Sequence, residues 1–179
     1  MKPFKFIVAA FLAVAAALLA AACSKPPRRA TDEASSAAAS SPKVPPRDVV
    51  RVQAERVEIK AGERAEARVR IAVADGYHIN ANPPTYDYLK ATELEVSPVQ
   101  GITPEAPVYP LPVKRKFGFA PDELAVYEGS DNVIKLPLRA AQTASGDVAL
   151  EAKLRAQACD DQACYPPREI RFVIPVSVR

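Results

Sequence analysis

From Val49 onward the apolar residues recur at every second position. "VVRVQAERVEI" sets Val50, Val52 and Ala54 against Arg51, Gln53 and Glu55. "RAEARVRIAV" sets Ala65, Ala67, Val69, Ile71 and Val73 against Glu66, Arg68 and Arg70. A period of two is the pattern of a strand with one face buried and one wet. Ala61-Gly62-Glu63 between the two runs reads as a turn, so a hairpin-like pair is expected. "TELEVSPV" continues the pattern with Leu94 and Val96. "NVIKLPLRA" reads as a strand with Pro137 inside it, which predicts an edge or a bulge there. "GDVALEAKLRAQAC" alternates Val148, Leu150, Ala152, Leu154 and Ala156. "REIRFVIPVSVR" alternates Ile170, Phe172, Ile174, Val176 and Val178. "DVALEAKLRAQA" is also rich in helix formers. Its strict alternation and its strand-like flanks favour a strand.

This amounts to about six to eight short strands between residues 48 and 179, the spacing of an all-β domain. The expected fold is an immunoglobulin-like antiparallel β-sandwich. The chain has no tryptophan, and its two C-terminal cysteines are too close in sequence to bridge two sheets as in antibody domains. The segment 104–132, "PEAPVYPLPVKRKFGFAPDELAVYEGSDN", is proline-punctuated and aromatic. It reads either as a functional loop or as a meander of short strands.

The first 48 residues follow other rules. Lys2 and Lys5 precede the apolar run "FIVAAFLAVAAALLAAA", which ends at Cys23. Residues 1–22 read as a signal peptide. The small residues before Cys23 resemble a bacterial lipobox, with Ala20 where leucine is usual. Cys23 is then the lipidated residue. A transmembrane anchor is the alternative, but the run is short for one. Ser24 after the cysteine suggests the outer membrane. Residues 23–47 are rich in Ser, Ala and Pro and read as a disordered tether. The folded domain is expected over 48–179. Eighteen prolines against six glycines suit short strands and a tether better than a helical bundle. A net charge of +3, with the basic residues scattered, argues against a nucleic-acid partner.

Assigning Cys23 to lipid leaves Cys159 and Cys164 as a pair in "AQACDDQACYPPRE". A metal site needs about four ligands, and the chain has one histidine, His78. Asp160 or Asp161 would have to complete such a site, and no second Cys or His pair is present. Haem attachment lacks its C-x-x-C-H motif. A structural disulfide is geometrically reasonable between neighbouring strands. It would close a very short loop, so its entropic stabilisation is small. A redox pair at a loop tip suits the spacing better. Asp160 and Asp161 flank Cys159 and disfavour its thiolate. Neither cysteine then has the features of a strongly acidic thiol.

Several segments resemble one family. "DGYHINANPP" (75–84), "ATELEV" (91–96), "KFGFAPDELAVYEG" (116–129) and "QACDDQACYPP" (157–167) are similar, in this order, to the N-terminal periplasmic domain of the thiol:disulfide interchange protein DsbD. The resemblance spans residues 48–179. It implies an immunoglobulin-like fold and thiol–disulfide exchange through Cys159 and Cys164, with no cofactor. By this analogy Cys164 forms the mixed disulfide and Cys159 resolves it. A cap loop with an aromatic residue covers the pair, here Phe117 or Phe119. Tyr77, His78 and Asn80 are expected to line the site with Asp160, Asp161 and Tyr165. The expected partners are a membrane thiol–disulfide conduit or a thioredoxin-like reductant, and an oxidised periplasmic acceptor. The reductant is expected to be another protein, since the resemblance covers only the tip of such a relay. The lipid is the expected link to the membrane. A non-enzymatic adaptor that merely retains a structural disulfide is the competing reading.

Overall fold

The structure is a computed structural model, and it describes residues 46–99 and 101–179. The expected signal peptide, Cys23 and the tether up to residue 45 lie outside the described residues. All the regular elements described are strands. In chain order they are β1 (Val50–Ala54), β2 (Val57–Ile59), β3 (Arg64–Val73), β4 (His78–Asn80), β5 (Glu93–Val96) and β6 (Ile102–Pro104). They continue with β7 (Val113–Arg115), β8 (Leu124–Tyr127), β9 (Asn132–Ala140), β10 (Gly146–Ala156), β11 (Ala158–Cys159) and β12 (Arg168–Val178). They form three four-stranded sheets, ordered β1-β3-β9-β6, β2-β12-β10-β5 and β11-β4-β8-β7. The fold is an all-β, immunoglobulin-like sandwich.

The first two sheets carry the main core, and alternation decides which side chains enter it. Val69 and Ile71 of β3, Ile134 and Leu138 of β9, Leu150 and Leu154 of β10, and Ile174 and Val176 of β12 are fully buried. Burying one such side chain contributes about 1.5–3 kcal/mol. β10 is a strand from Gly146 to Ala156, so its alternation outweighs its helix-favouring composition.

Two local expectations change. β1 does pair with β3, with Val52 opposite Ile71. β2 does not stay with them. It crosses to the second sheet and lies parallel to β12, with Val57 beside Val176. The reason is a phase slip. The apolar positions are even through Ala54 and odd from Val57, with Glu55-Arg56 between them. Changing sheets at that slip lets both apolar sets face the same core. At the next corner Gly62 adopts φ +78° and its amide bonds to Ala141 O. Pro137, second, is not on an edge strand, because β9 runs between β3 and β6. Lys135 N bonds to Val108 O and Glu105 N to Pro137 O. The odd residues of β9 therefore turn their backbone toward the β6 side. β6 ends at Pro104, so the donor that proline lacks is missing where the regular ladder stops.

The third sheet positions the site. Ile79 of β4 and Ala158 of β11 are register partners that join the main core. The residues next to them, His78 and Cys159, therefore face the other way. That opposite face has its own small cluster, with Ala120, Leu124 and Val126 buried and Tyr86, Leu89 and Phe117 packed on them. Segment 104–132 holds the short strands β7 and β8 of a meander, with an irregular stretch from Lys116 to Glu123 between them.

Candidate functional site

Cys159 and Cys164 are joined by a disulfide, with Cα atoms 4.0 Å apart. They face each other in a tight hairpin. Tyr165 N bonds to Ala158 O and Asp160 N to Ala163 O, both at 2.9 Å. Cys159 and Cys164 occupy the pair between these two, the non-hydrogen-bonded position where opposed side chains come closest. The chain returns after only "DDQA", and Asp160 makes that possible. Its Oδ1 accepts from Gln162 N and Ala163 N, both at 2.9 Å. Its Oδ2 accepts from the Tyr165 hydroxyl in a short bond. That bond raises the Tyr165 hydroxyl pKa to about 12. Tyr165 is itself buried and lies against Tyr77, with ring centroids 6.4 Å apart. The hairpin is thus held by its own hydrogen bonds as well as by sulfur.

The two cysteines are not equivalent. Cys159 is fully buried, whereas Cys164 is part-exposed. Cys164 opens on a groove that it shares with Ala163, Gln162, Phe119, Tyr88 and Leu89.

β4 runs along the other side of Cys159, and its three residues are all buried. His78 is the register partner of Cys159. Directly opposed residues of an antiparallel pair project from the same face, with Cβ atoms ~4.5–5.5 Å apart. His78, Cys159 and Cys164 therefore form one row across three neighbouring backbone segments. Phe117 stacks on His78 with centroids 4.1 Å apart, and Phe119 stacks on Phe117 at 5.3 Å. Phe117 is half-buried and Phe119 is 42% exposed. Lys116 Nζ bonds to the carbonyls of Ala120 and Pro121, closing this turn on itself. The two rings line different depressions, Phe117 the cleft it shares with His78 and Phe119 the groove it shares with Cys164.

Burial lowers the His78 pKa, opposed by the nearby carboxylates of Asp161, Glu128 and Asp160. Its Nε2 is buried without a hydrogen-bond partner. Asn80 is fully buried. Its Nδ2 donates to Lys90 O and Gln157 Oε1, both at 3.1 Å, while its Oδ1 has no partner. Glu128, beside His78, is held below the usual carboxylate range by its hydrogen bond from Arg115. Asp161 is exposed at the hairpin tip and lines the same cleft as Tyr77, His78 and Phe117. Of the residues expected from the sequence, Tyr77, His78, Phe117 and Asp161 line one cleft, Phe119 shares a groove with Cys164, Asp160 and Tyr165 hold the hairpin, and Asn80 joins them through Gln157.

Gln157 belongs with them, although nothing along the chain marks it out by itself. It occupies the gap between β10 and β11. Its Oε1 accepts from Asn80 Nδ2 and Lys90 N, and its Nε2 donates to Tyr165 O at 3.0 Å. It ties β4, the 90s loop and the return arm of the hairpin together. An isolated glutamine carries no periodic signal. Its position two residues before Cys159 is the one clue. Among the described residues no cluster of three or more His, Cys, Asp or Glu side chains is arranged to hold a metal ion.

Fold and site together define an all-β sandwich domain with a loop-tip disulfide beside a stacked aromatic pair. The family described as "Thiol:disulfide interchange protein DsbD, N-terminal" matches residues 44–174, well over half of the chain, and the protein belongs to this family. At the family level the Cys159–Cys164 pair is thus a thiol:disulfide interchange pair. No curated protein matches the chain. Among solved structures, the chain is similar to the reduced DsbD N-terminal domain of Neisseria meningitidis. Identity is 19%, with 73% of this chain and 88% of that one covered, at a TM-score of 0.45. It is also similar to the N-terminal periplasmic domain of ScsB from Proteus mirabilis. Identity there is 14%, with 74% and 48% covered, at a TM-score of 0.49. The assignment rests on the family match and not on these distant likenesses.

Proposed function

We propose that this protein is a lipid-anchored thiol–disulfide exchange protein on the periplasmic side of a bacterial membrane. It passes electrons through Cys159 and Cys164 to oxidised proteins. The observation that carries the reading is the unequal burial of the two sulfur-bearing residues in a hairpin that is already closed by hydrogen bonds. A disulfide across so short a loop contributes on the order of 2 kcal/mol or less. The Asp160 network supplies much of the same constraint, so the sulfur bridge is poorly used as a staple.

The chemistry needs no cofactor. A membrane thiol–disulfide conduit or a thioredoxin-like reductant delivers two electrons and two protons, which converts the disulfide to a dithiol. The Cys164 thiolate, the more accessible sulfur, attacks one sulfur of an acceptor disulfide. A Cys164–acceptor disulfide forms and the acceptor's second sulfur leaves as a thiolate. Cys159 then attacks Cys164 Sγ, the mixed bond breaks, and the acceptor departs as a dithiol. Phe117 and Phe119 cover the pair until a partner displaces them. Family membership and the tether-like composition of residues 23–47 support a domain working at reach from an anchor at Cys23 on the outer membrane.

A redox titration tests this reading. A reduction potential in the range of exchange proteins, roughly −180 to −270 mV, supports it. A potential below about −300 mV gives the disulfide to structure and the protein to the adaptor role. Cys23→Ser is expected to move the protein from the membrane to the soluble fraction.

A further inference from the structure

Cys159 presents a chemical difficulty. It is fully buried and Asp160 and Asp161 follow it directly in the chain. Burial and neighbouring carboxylates both disfavour a thiolate. The resolving step nonetheless requires one, because the thiol itself is a poor nucleophile. A group beside Cys159 must therefore take its proton.

From the row His78–Cys159–Cys164 we infer that His78 is the proton acceptor for Cys159 in the resolving step. The inference rests on the exchange reading above and adds a residue role to it. Three observations carry it. His78 is the register partner of Cys159 on the same face of the third sheet. Its Nε2 is buried and has no partner, so one ring nitrogen is uncommitted. Before a partner arrives the ring is already oriented by Phe117, stacked at 4.1 Å. Burial also favours the neutral imidazole that a base requires.

The charged and titratable groups around the ring come from every neighbouring segment. Asp75 and Tyr77 lie on its own strand's approach, Arg115 and Lys116 on the 115–117 segment, and Glu128 after β8. Asp160 and Asp161 come from the hairpin. The carboxylates favour the imidazolium once a proton arrives, which suits a transient acceptor.

The step balances. The Cys159 thiol proton moves to the His78 imidazole as Cys159 Sγ bonds to Cys164 Sγ. The bond from Cys164 to the acceptor sulfur breaks, and the acceptor leaves with the electron pair as a thiolate. The imidazolium then returns its proton to that thiolate or to water.

The reduced full-length protein mixed with 5,5′-dithiobis(2-nitrobenzoate) separates the two steps. Cys164 attack releases the first aryl thiolate and Cys159 resolution releases the second. The aryl thiolate leaves without needing a proton, so the second phase reports on Cys159 alone. In His78→Gln and His78→Asn the ratio of second-phase to first-phase rate at pH 7 is expected to fall about ten-fold or more. Their second phase is then expected to rise with pH only as the thiol itself ionises. An unchanged ratio and pH profile in both variants overturns the role of His78 while leaving exchange intact. Absence of a first phase in the unaltered protein, by contrast, overturns the exchange reading. A second measurement needs no variant. His78 is the chain's single histidine, so its ring resonances identify themselves in an NMR titration. Its midpoint is expected to differ between the oxidised and reduced protein, and identical midpoints overturn the inference.

Discussion

The Tyr165 hydroxyl donates to Asp160 across the foot of the hairpin that carries the disulfide, and the same carboxylate caps the hairpin tip through Gln162 N and Ala163 N. One side chain therefore anchors both ends of a segment whose covalent link is expected to open and close. The reduced protein should keep this hairpin. Asp160→Ala should cost about 0.5–1.5 kcal/mol, since the Gln162 and Ala163 amides are exposed and water replaces part of what the carboxylate gives them. It should also raise amide hydrogen exchange at Gln162 and Ala163 in the reduced state. Protection unaltered by the substitution would show that the turn does not depend on Asp160.

The stacked rings of Phe117 and Phe119 predict a kinetic effect. An aromatic pair contributes about 0.5–1.5 kcal/mol beyond its burial. If the stack shields the disulfide, Phe117→Ala or Phe119→Ala should speed its reduction by dithiothreitol about two- to ten-fold. Equal rates in the unaltered protein and both variants would remove the shielding role.

Unequal exposure of the two cysteines predicts unequal trapping. Cys159→Ser leaves Cys164 able to attack but removes the resolving thiol, so mixed disulfides should accumulate. They are read as adducts on non-reducing gels that vanish with dithiothreitol. Cys164→Ser should give few, because the remaining thiol is buried. Adducts of similar yield in both variants would contradict the assigned roles.

Burial of His78 makes stability depend on pH. Its pKa in the folded protein lies below the ordinary value of 6.5, chiefly through desolvation. The unfolded chain therefore binds the proton more readily. Stability is fully present above about pH 6.5 and declines as pH falls from there toward the lower folded value. In His78→Gln that part of the decline should be absent from denaturant melts collected between pH 7 and pH 5. Glu128, held low by Arg115, adds its own loss only below the ordinary 4.5 of a glutamate, outside that interval.

Gln157 offers a test of the site's framework. Its side chain bonds to Asn80, Lys90 N and Tyr165 O. Gln157→Ala should destabilise the domain by roughly 1–3 kcal/mol, since partners that are partly buried lose their bonds together. A midpoint in urea within error of the unaltered protein would show that water replaces the amide without cost.

Much of this molecule is legible along the chain. The long strands β3, β9, β10 and β12 announce themselves because alternation is local: a pleated strand turns every second side chain to the core. The cysteine pair, its short loop and the aromatic segment at 117–119 are local features too. Other features depend on distant partners. Val57 and Ile59 show a phase slip in the sequence, but only the second sheet gives β2 its place beside β12. Pro137 sits in an inner strand because β6 happens to end one residue short of it, opposite Leu138. β4 and β11 have three and two residues, too short for any period to show. Yet their pairing sets His78 opposite Cys159, eighty-one positions apart in the chain. Composition and alternation alone determined an all-β domain with a cysteine pair near its C-terminus. Tertiary structure decided which cysteine is buried, which histidine nitrogen lacks a partner, and which ring stacks on that histidine. Burial and opposition are properties of chain segments brought together, and no single segment encodes them.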